Sequence, residues 1–379
     1  MDSLFAGQGF KFWYKAARPI SFGQSITPYV LGVLLGISTL MYTGTSTAIN
    51  LGIGNFGLLS GISGSTIHNI GSGILTGIVG LVGVILAHAG MNLLDDYFDM
   101  KKGAVQRREE LLDGGFRARL GKCDYIKDGN VTLADTKRAA LTFITIALAL
   151  GAVIFALRGW EVLIFAAITL VLGVLYAGPP LRLSYHGFGE LVIGFIFGPV
   201  LVTAASFLAS GQITPLALFC SVPIGFLVAN IVQIHAVMDY KPDLEADRKT
   251  LPILLGSERA GVITNIIFIA IAQITILTGI ALGFLPVTAL LVVLTYPLTL
   301  VFIKLALDYI KNKDDAKEAP FEPQKWMGNY GDWEGYKESG IGWFMARWLT
   351  AQNLVMQTTL FLAIAALVSP STWYLSWFI

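Results

Sequence analysis

Nine stretches of this 379-residue chain are apolar for long enough to cross a bilayer core. Such a crossing takes about 20 residues of helix for about 30 Å of hydrocarbon. The runs cover roughly 25–43, 70–91, 138–157, 161–178, 187–207, 214–236, 260–282, 285–307 and 350–369. Inside lipid every backbone N–H and C=O must be satisfied within the chain, and long unbroken apolar runs meet that demand as helices. The expected fold is therefore all-α: a polytopic membrane bundle of nine transmembrane helices. Composition agrees, with 55% hydrophobic and only 13% charged residues, where a soluble domain carries about 25% charged. A net charge of +1 implies no nucleic-acid partner. The two cysteines, Cys123 and Cys220, form no zinc spacing and no disulfide framework. Lys11, Lys15 and Arg18 precede the first apolar run without an early small-residue cleavage site, so that run reads as a retained span rather than a signal.

Charge orients the bundle. With nine crossings the termini fall on opposite sides, and every Lys and Arg except Arg158 lies on the side of the N-terminus. Cytoplasmic loops carry the basic residues of membrane proteins. The N-terminus is accordingly expected in the cytoplasm and the C-terminus outside. Residues 44–69, rich in Gly, Ser, Thr and Asn and free of Lys and Arg, read as an outer loop. The stretch 312–349 is charged first and then rich in Trp and Tyr. It reads as an interfacial cytoplasmic insert before the last helix, with a substrate-gating lid as the rival reading.

Two acidic motifs stand at the cytoplasmic ends of two spans. The first is Asn92-Leu-Leu-Asp95-Asp96-Tyr-Phe-Asp99, continuing an apolar helix. At about 100° per residue, Asn92, Asp96 and Asp99 fall within roughly 60° of one another. The second is Asp239-Tyr-Lys-Pro-Asp243-Leu-Glu-Ala-Asp247-Arg248-Lys249. Its carboxylates step by four along one face if the segment stays helical, with Pro242 placed to distort it. Asn230, Gln233 and His235 lie just upstream. Clustered carboxylates repel one another, and near a membrane interior they mark function. A hard cation relieves the repulsion, and magnesium is commonly held by one or two carboxylates together with substrate phosphates. Solvated helix caps are the plainer reading of either motif alone; two motifs with spacing of three or four on one side argue against it. Carboxylates of an ion or proton pathway would instead stand singly at mid-span.

This pattern resembles the UbiA superfamily of intramembrane prenyltransferases, known for two aspartate-rich motifs on a nine-helix bundle. Asn92, Asp96 and Asp99 match its first motif; Asp239, Asp243 and Asp247 match its second, with Arg248-Lys249-Thr-Leu-Pro after it. Ala17-Arg18-Pro19, the run Asn92 to Gly103, and Leu183-Ser-Tyr185-His186-Gly187-Phe-Gly189-Glu190 are most similar to the branch that prenylates 1,4-dihydroxy-2-naphthoate for menaquinone. The chain departs from its relatives at Gly103, where some carry another aspartate, and at Asp239, where the naphthoate branch often has Asn. It also lacks extra residues between Arg248 and Thr250, and the segments 103–130 and 312–349 are unusual.

The resemblance implies one prenyltransferase domain over 1–379, an integral membrane enzyme with its active site toward the cytoplasm. It implies Mg2+ held by Asn92, Asp96, Asp99, Asp239, Asp243 and Asp247, gripping a prenyl diphosphate. Arg182, Lys102, Arg248 and Lys249 are candidates for the remaining phosphate charge, although basic residues beside a span are often topology anchors. Tyr185, His186 and Glu190 lie near the reacting loop; Asp95 is a further ligand or acceptor contact, and Arg18 an acceptor contact. The acceptor is expected to be aromatic, with membrane lipid around both reactants. A glycerol-phosphate lipid precursor, another acceptor of the superfamily, or a transporter with acidic gates are the alternatives.

Overall fold

The computed structural model describes residues 8–42, 70–101, 123–177, 180–245, 248–311 and 321–369. Among them all regular structure is helical, apart from one isolated parallel bridge between His186 and Lys249. A short helix α1 (Phe10–Ala16) leads through a tight turn at Pro19–Ser21 into α2 (Gly23–Tyr42). Then come α3 (Ile70–Lys101), α4 (Asp124–Lys127), α5 (Leu133–Arg158) and α6 (Glu161–Ala177). Helix α7 (Gly189–Phe195) continues through a widened turn around Pro199 into α8 (Leu201–Ser210). Helix α9 (Pro215–Met238) is followed by the short α10 (Tyr240–Glu245) and α11 (Leu251–Leu254), then by α12 (Glu258–Ala281). A 3-10 stretch at Val287–Thr295 runs into α13 (Tyr296–Lys311), and α14 (Trp333–Glu338) precedes α15 (Gly342–Val368).

Eight helices among the described residues are long and apolar enough to cross a membrane: Gly23–Met41, Ile70–Phe98, Leu133–Arg158, Gly189–Ser210, Pro215–Met238, Glu258–Ala281, Val287–Lys311 and Gly342–Val368. The expected span at 161–178 differs. It is an apolar helix of 17 residues, about 25 Å long at 1.5 Å per residue, and two prolines follow it at 179 and 180. The outer loop 44–69 lies outside the described residues.

Local chemistry sets several helix ends. Thr132 and Asp135 form a reciprocal capping box at the start of α5, and Thr214 and Ser257 cap α9 and α12. Packing between α2 and α8 depends on small residues. A Cβ on Gly32 or Gly36 would collide with the Val202 or Ser206 carbonyl, so the two backbones touch where lipid supplies no hydrophobic drive. Helix α9 lies at the centre, with Ile224, Leu227, Val228 and Ile231 buried against α12 and α15.

The aromatic stretch before the last span divides. Residues 312–320 lie outside the described set, and Trp326 is half exposed. Tyr330, Trp333, Trp343 and Trp348 are buried, and the last two belong to α15, which begins at Gly342 rather than near 350. Arg347, also buried, lies with its guanidinium 3.9 Å from the Tyr309 ring centroid and 5.2 Å from that of Trp343. Aromatic faces thus cover the charge that made this turn read as interfacial.

Candidate active site

Helix α3 carries the first acidic motif unbroken to Lys101, as its periodicity predicts. Asn92 donates through Nδ2 to the Ala17 carbonyl at 2.8 Å and to Ser21 Oγ at 3.0 Å. Arg18 returns a hydrogen bond to the Asn92 carbonyl at 3.2 Å. The turn at residues 17–21 and the end of α3 are therefore pinned together. Asp96 is wholly buried. Its Oδ1 lies 3.1 Å from Arg18 Nη2, and its Oδ2 accepts from the Tyr125 hydroxyl at 3.2 Å. Asp95 is exposed, 3.8 Å from the same guanidinium nitrogen. Burial first, and the Asp96 carboxylate second, push the Tyr125 hydroxyl above its ordinary pKa, so it stays protonated as a donor. The Asp99 side chain and Lys102 lie outside the described residues.

The second motif is not one continuous helix. Helix α9 ends at Met238, and Asp239 caps it with ψ near 6°. Pro242 has no N–H to offer the Met238 carbonyl, and the chain restarts as α10. The Asp243 N–H still reaches the Asp239 carbonyl at 2.8 Å, so these two carboxylates remain one turn apart. Asp243 is buried and pairs with Arg248 at 3.8 Å, while the Arg248 guanidinium lies 5.2 Å from the Tyr185 ring centroid. Burial works against the Arg248 charge, but Asp243, Tyr176, Tyr185 and Asp239 more than restore it, and its pKa stands above the ordinary value. Asp247 lies outside the described residues.

The 182–190 loop is tied to this cluster. His186 bridges to Lys249, and Glu190 is buried beside Arg248 and Asp243, accepting from the Leu251 backbone N–H. His186 Nδ1 stands 3.1 Å from the Arg182 carbonyl, a hydrogen bond when that nitrogen carries the proton. Arg182 itself is exposed, in a left-handed backbone conformation. It is thus near the second cluster through His186 rather than by a direct ion pair.

Both motifs lie at one end of the bundle. Ser21 binds Asn92, and a Cβ on nearby Gly23 would stand 3.9 Å from Gln352 Oε1 on α15. One turn away on α15, the Trp348 ring packs against His235, whose carbonyl accepts from the Asp239 N–H. Helix α15 thus runs past both the start of α2 and the end of α9, from which the second motif leads on.

The donors suit a hard dication: carboxylates and an amide, with a buried Asp96 and a buried Asp243 each already facing a positive charge. Among the described residues no three carboxylate, imidazole or thiol groups converge to close a coordination shell alone.

Sequence reading missed Tyr125 and His88. His88 lies one turn before Asn92 and holds Ser25 Oγ at 2.9 Å and Ser21 Oγ at 3.5 Å. An ionisable residue inside an apolar span was the available signal. Tyr125, 29 residues from Asp96, offers no such signal.

A bundle of long apolar helices with two acidic, arginine-paired helix ends is the build of an integral membrane protein with a polar site at one end. The sequence matches the UbiA prenyltransferase family over residues 59–329, and the chain belongs to that family. Among relatives, it is 32% identical over 169 residues to the 1,4-dihydroxy-2-naphthoate octaprenyltransferase of Bacillus subtilis, covering 45% of this chain and 51% of that one. It is 27% identical over 164 residues to the 2-carboxy-1,4-naphthoquinone phytyltransferase of Synechocystis, covering 43% and 53%. It is 24% identical over 238 residues to the digeranylgeranylglyceryl phosphate synthase of Pyrococcus horikoshii, covering 56% and 77%. The matches to the naphthoate-type relatives span about half of their length. The fold is similar to that of a UbiA homolog from Archaeoglobus fulgidus bound to GPP and Mg2+, with a TM-score of 0.50 at 15% identity over 91% of this chain and 99% of that one.

Proposed function

We propose that this protein transfers a prenyl group from a prenyl diphosphate to an aromatic quinone precursor, 1,4-dihydroxy-2-naphthoate, with Mg2+ as cofactor. The observation that carries this reading is the pair of acidic helix ends, Asp96 with Arg18 and Asp243 with Arg248. The naphthoate acceptor is supported by the Bacillus and Synechocystis relatives.

In this reading Asn92, Asp96, Asp99, Asp239, Asp243 and Asp247 hold the ion, which neutralises charge developing on the leaving diphosphate. Arg248, Lys249, Lys102 and Arg182 take the remaining phosphate charge. The allylic C–O bond breaks with its electron pair leaving on the diphosphate. A ring carbon of the acceptor then forms the new C–C bond, and its displaced substituent leaves as a proton, or as carbon dioxide from an acidic acceptor. Tyr185, His186, Asp95 and Arg18 contact the bound reactants. The apolar bundle excludes water, which would quench the allylic cation. In this reading the chain crosses the bilayer nine times, with α6 as the short crossing, and the site and the segment that precedes α15 face the cytoplasm, opposite Arg158.

A glycerol-phosphate lipid precursor is the second reading, favoured by the relative from Pyrococcus horikoshii. The test offers purified protein geranylgeranyl diphosphate with either acceptor, in magnesium or EDTA. Magnesium-dependent prenylated naphthol supports the first reading; prenylated glycerol phosphate moves the assignment to the second. No product, and no diphosphate release, with either acceptor overturns both.

A further inference from the structure

The Asp96 carboxylate is shared between two unlike partners. Tyr125 donates to Oδ2 at 3.2 Å, and the Arg18 guanidinium faces Oδ1 at 3.1 Å. Tyr125 is wedged edge-on against Phe12 and Trp13, so its hydroxyl is fixed by packing. The Arg18 side chain is different, because one guanidinium nitrogen, Nη2, is shared between the Asp96 carboxylate and the Asn92 carbonyl at 3.2 Å. Its backbone is left-handed, with φ 59°, and its carbonyl accepts from both Ser21 N at 3.0 Å and Ser21 Oγ at 2.9 Å. Such a conformation is unfavourable for a non-glycine residue and persists when its surroundings impose it. The same nitrogen also has the exposed Asp95 Oδ2 at 3.8 Å, a second carboxylate within reach.

We propose that Arg18 is a tethered counter-cation occupying the magnesium side of Asp96, and that Tyr125 is a positioning residue holding the carboxylate in place. This inference rests on the proposed magnesium-diphosphate site. A dication on Oδ1 would stand against the guanidinium, and like charges at that separation repel strongly where water is excluded. Because Arg18 is anchored beside Asp96, it competes at a high effective concentration. Metal alone therefore binds weakly. Metal arriving with diphosphate brings the negative charge onto which Arg18 moves, together with Asp95. The donor and its ion are thus expected to enter together.

The test measures Mn2+ binding by electron paramagnetic resonance in the full chain, without acceptor, alone and with a non-ionising thiodiphosphate analogue. Wild type and Arg18→Lys should bind Mn2+ alone weakly. Arg18→Gln should bind it alone at least tenfold more tightly and lose most of the enhancement given by the analogue. Tyr125→Phe should weaken Mn2+ binding under both conditions. Equal binding of Mn2+ alone by wild type, Arg18→Lys and Arg18→Gln overturns the counter-cation role, provided the analogue still enhances binding in wild type. If no form binds Mn2+ even with the analogue, the magnesium-diphosphate reading fails and this inference with it.

Discussion

Arg248 Nη1 stands 3.8 Å from Asp243 Oδ1, while its guanidinium carbon lies over the Tyr185 ring, 5.2 Å from the centroid. One residue of the second motif therefore holds a buried carboxylate and a loop aromatic at once. Arg248→Ala removes the cation from both contacts and takes the Arg248 pairing from the buried Asp243 carboxylate. Breaking a buried pair in this way costs about 3–5 kcal/mol. Thermal unfolding in detergent should fall well below wild type. Arg248→Lys keeps the charge but loses the planar contact, worth about 1 kcal/mol. Its KM for prenyl diphosphate should rise several-fold with folding intact; an unchanged KM would remove Arg248 from the donor site.

Tyr125→Phe deletes one hydrogen bond to a charged acceptor, worth about 1.5–3 kcal/mol. The pH dependence has a definite sign. The folded state holds the Tyr125 proton more tightly than the unfolded chain does. Its contribution is then complete below the unfolded pKa of about 10 and declines as pH rises through the folded value. The stability gap between wild type and Tyr125→Phe should be flat from pH 7 to 9 and shrink above pH 10. A gap that widened at high pH would contradict a proton-donating Tyr125.

Arg158 clamps the far end of the bundle. It donates to the Leu208 carbonyl at 2.7 Å, to the Ala209 carbonyl at 3.1 Å and to Thr76 Oγ1 at 3.1 Å. Arg158→Met should destabilise the fold by about 3 kcal/mol, because buried carbonyls lose charged donors. Thr76 and Asp96 are 20 residues apart on one helix, about 30 Å at 1.5 Å per residue. The folded fraction of the variant should accordingly keep wild-type KM values at low temperature. A selective loss of donor affinity would show that Arg158 acts on the site.

Gly32 and Gly36 test the fold itself. Gly32→Leu inserts a side chain where a Cβ already meets the Val202 carbonyl. Overpacking of this kind costs about 1–3 kcal/mol. The melting temperature should drop, while Gly151→Leu, with nothing within 4 Å of its Cβ position, should be neutral.

The sequence alone carries most of the architecture, because a span needs only length and apolarity. Eight of the expected crossings are matched within a few residues at most ends. The exception at the start of α15 is instructive. Arg347 among tryptophans resembles a membrane-interface anchor, and only the Tyr309 and Trp343 faces, brought in from elsewhere, turn it into a buried cation. The first acidic motif is legible because three periodic positions share one helix face. At the second motif, Pro242 marks the distortion but not where the helix stops, which the structure places at Met238. The pairings Arg18–Asp96 and Tyr125–Asp96 join residues 78 and 29 positions apart, and no local pattern encodes such distances.

The most direct test of the central claim is equilibrium binding of radiolabelled geranylgeranyl diphosphate to purified wild type, Asp96→Asn and Asp243→Asn, each in magnesium and in EDTA. Magnesium should tighten binding to wild type at least 100-fold, and either substitution should abolish that gain. Diphosphate binding that is indifferent to magnesium, or a magnesium effect that survives both substitutions, would contradict a shared site built from the two acidic helix ends.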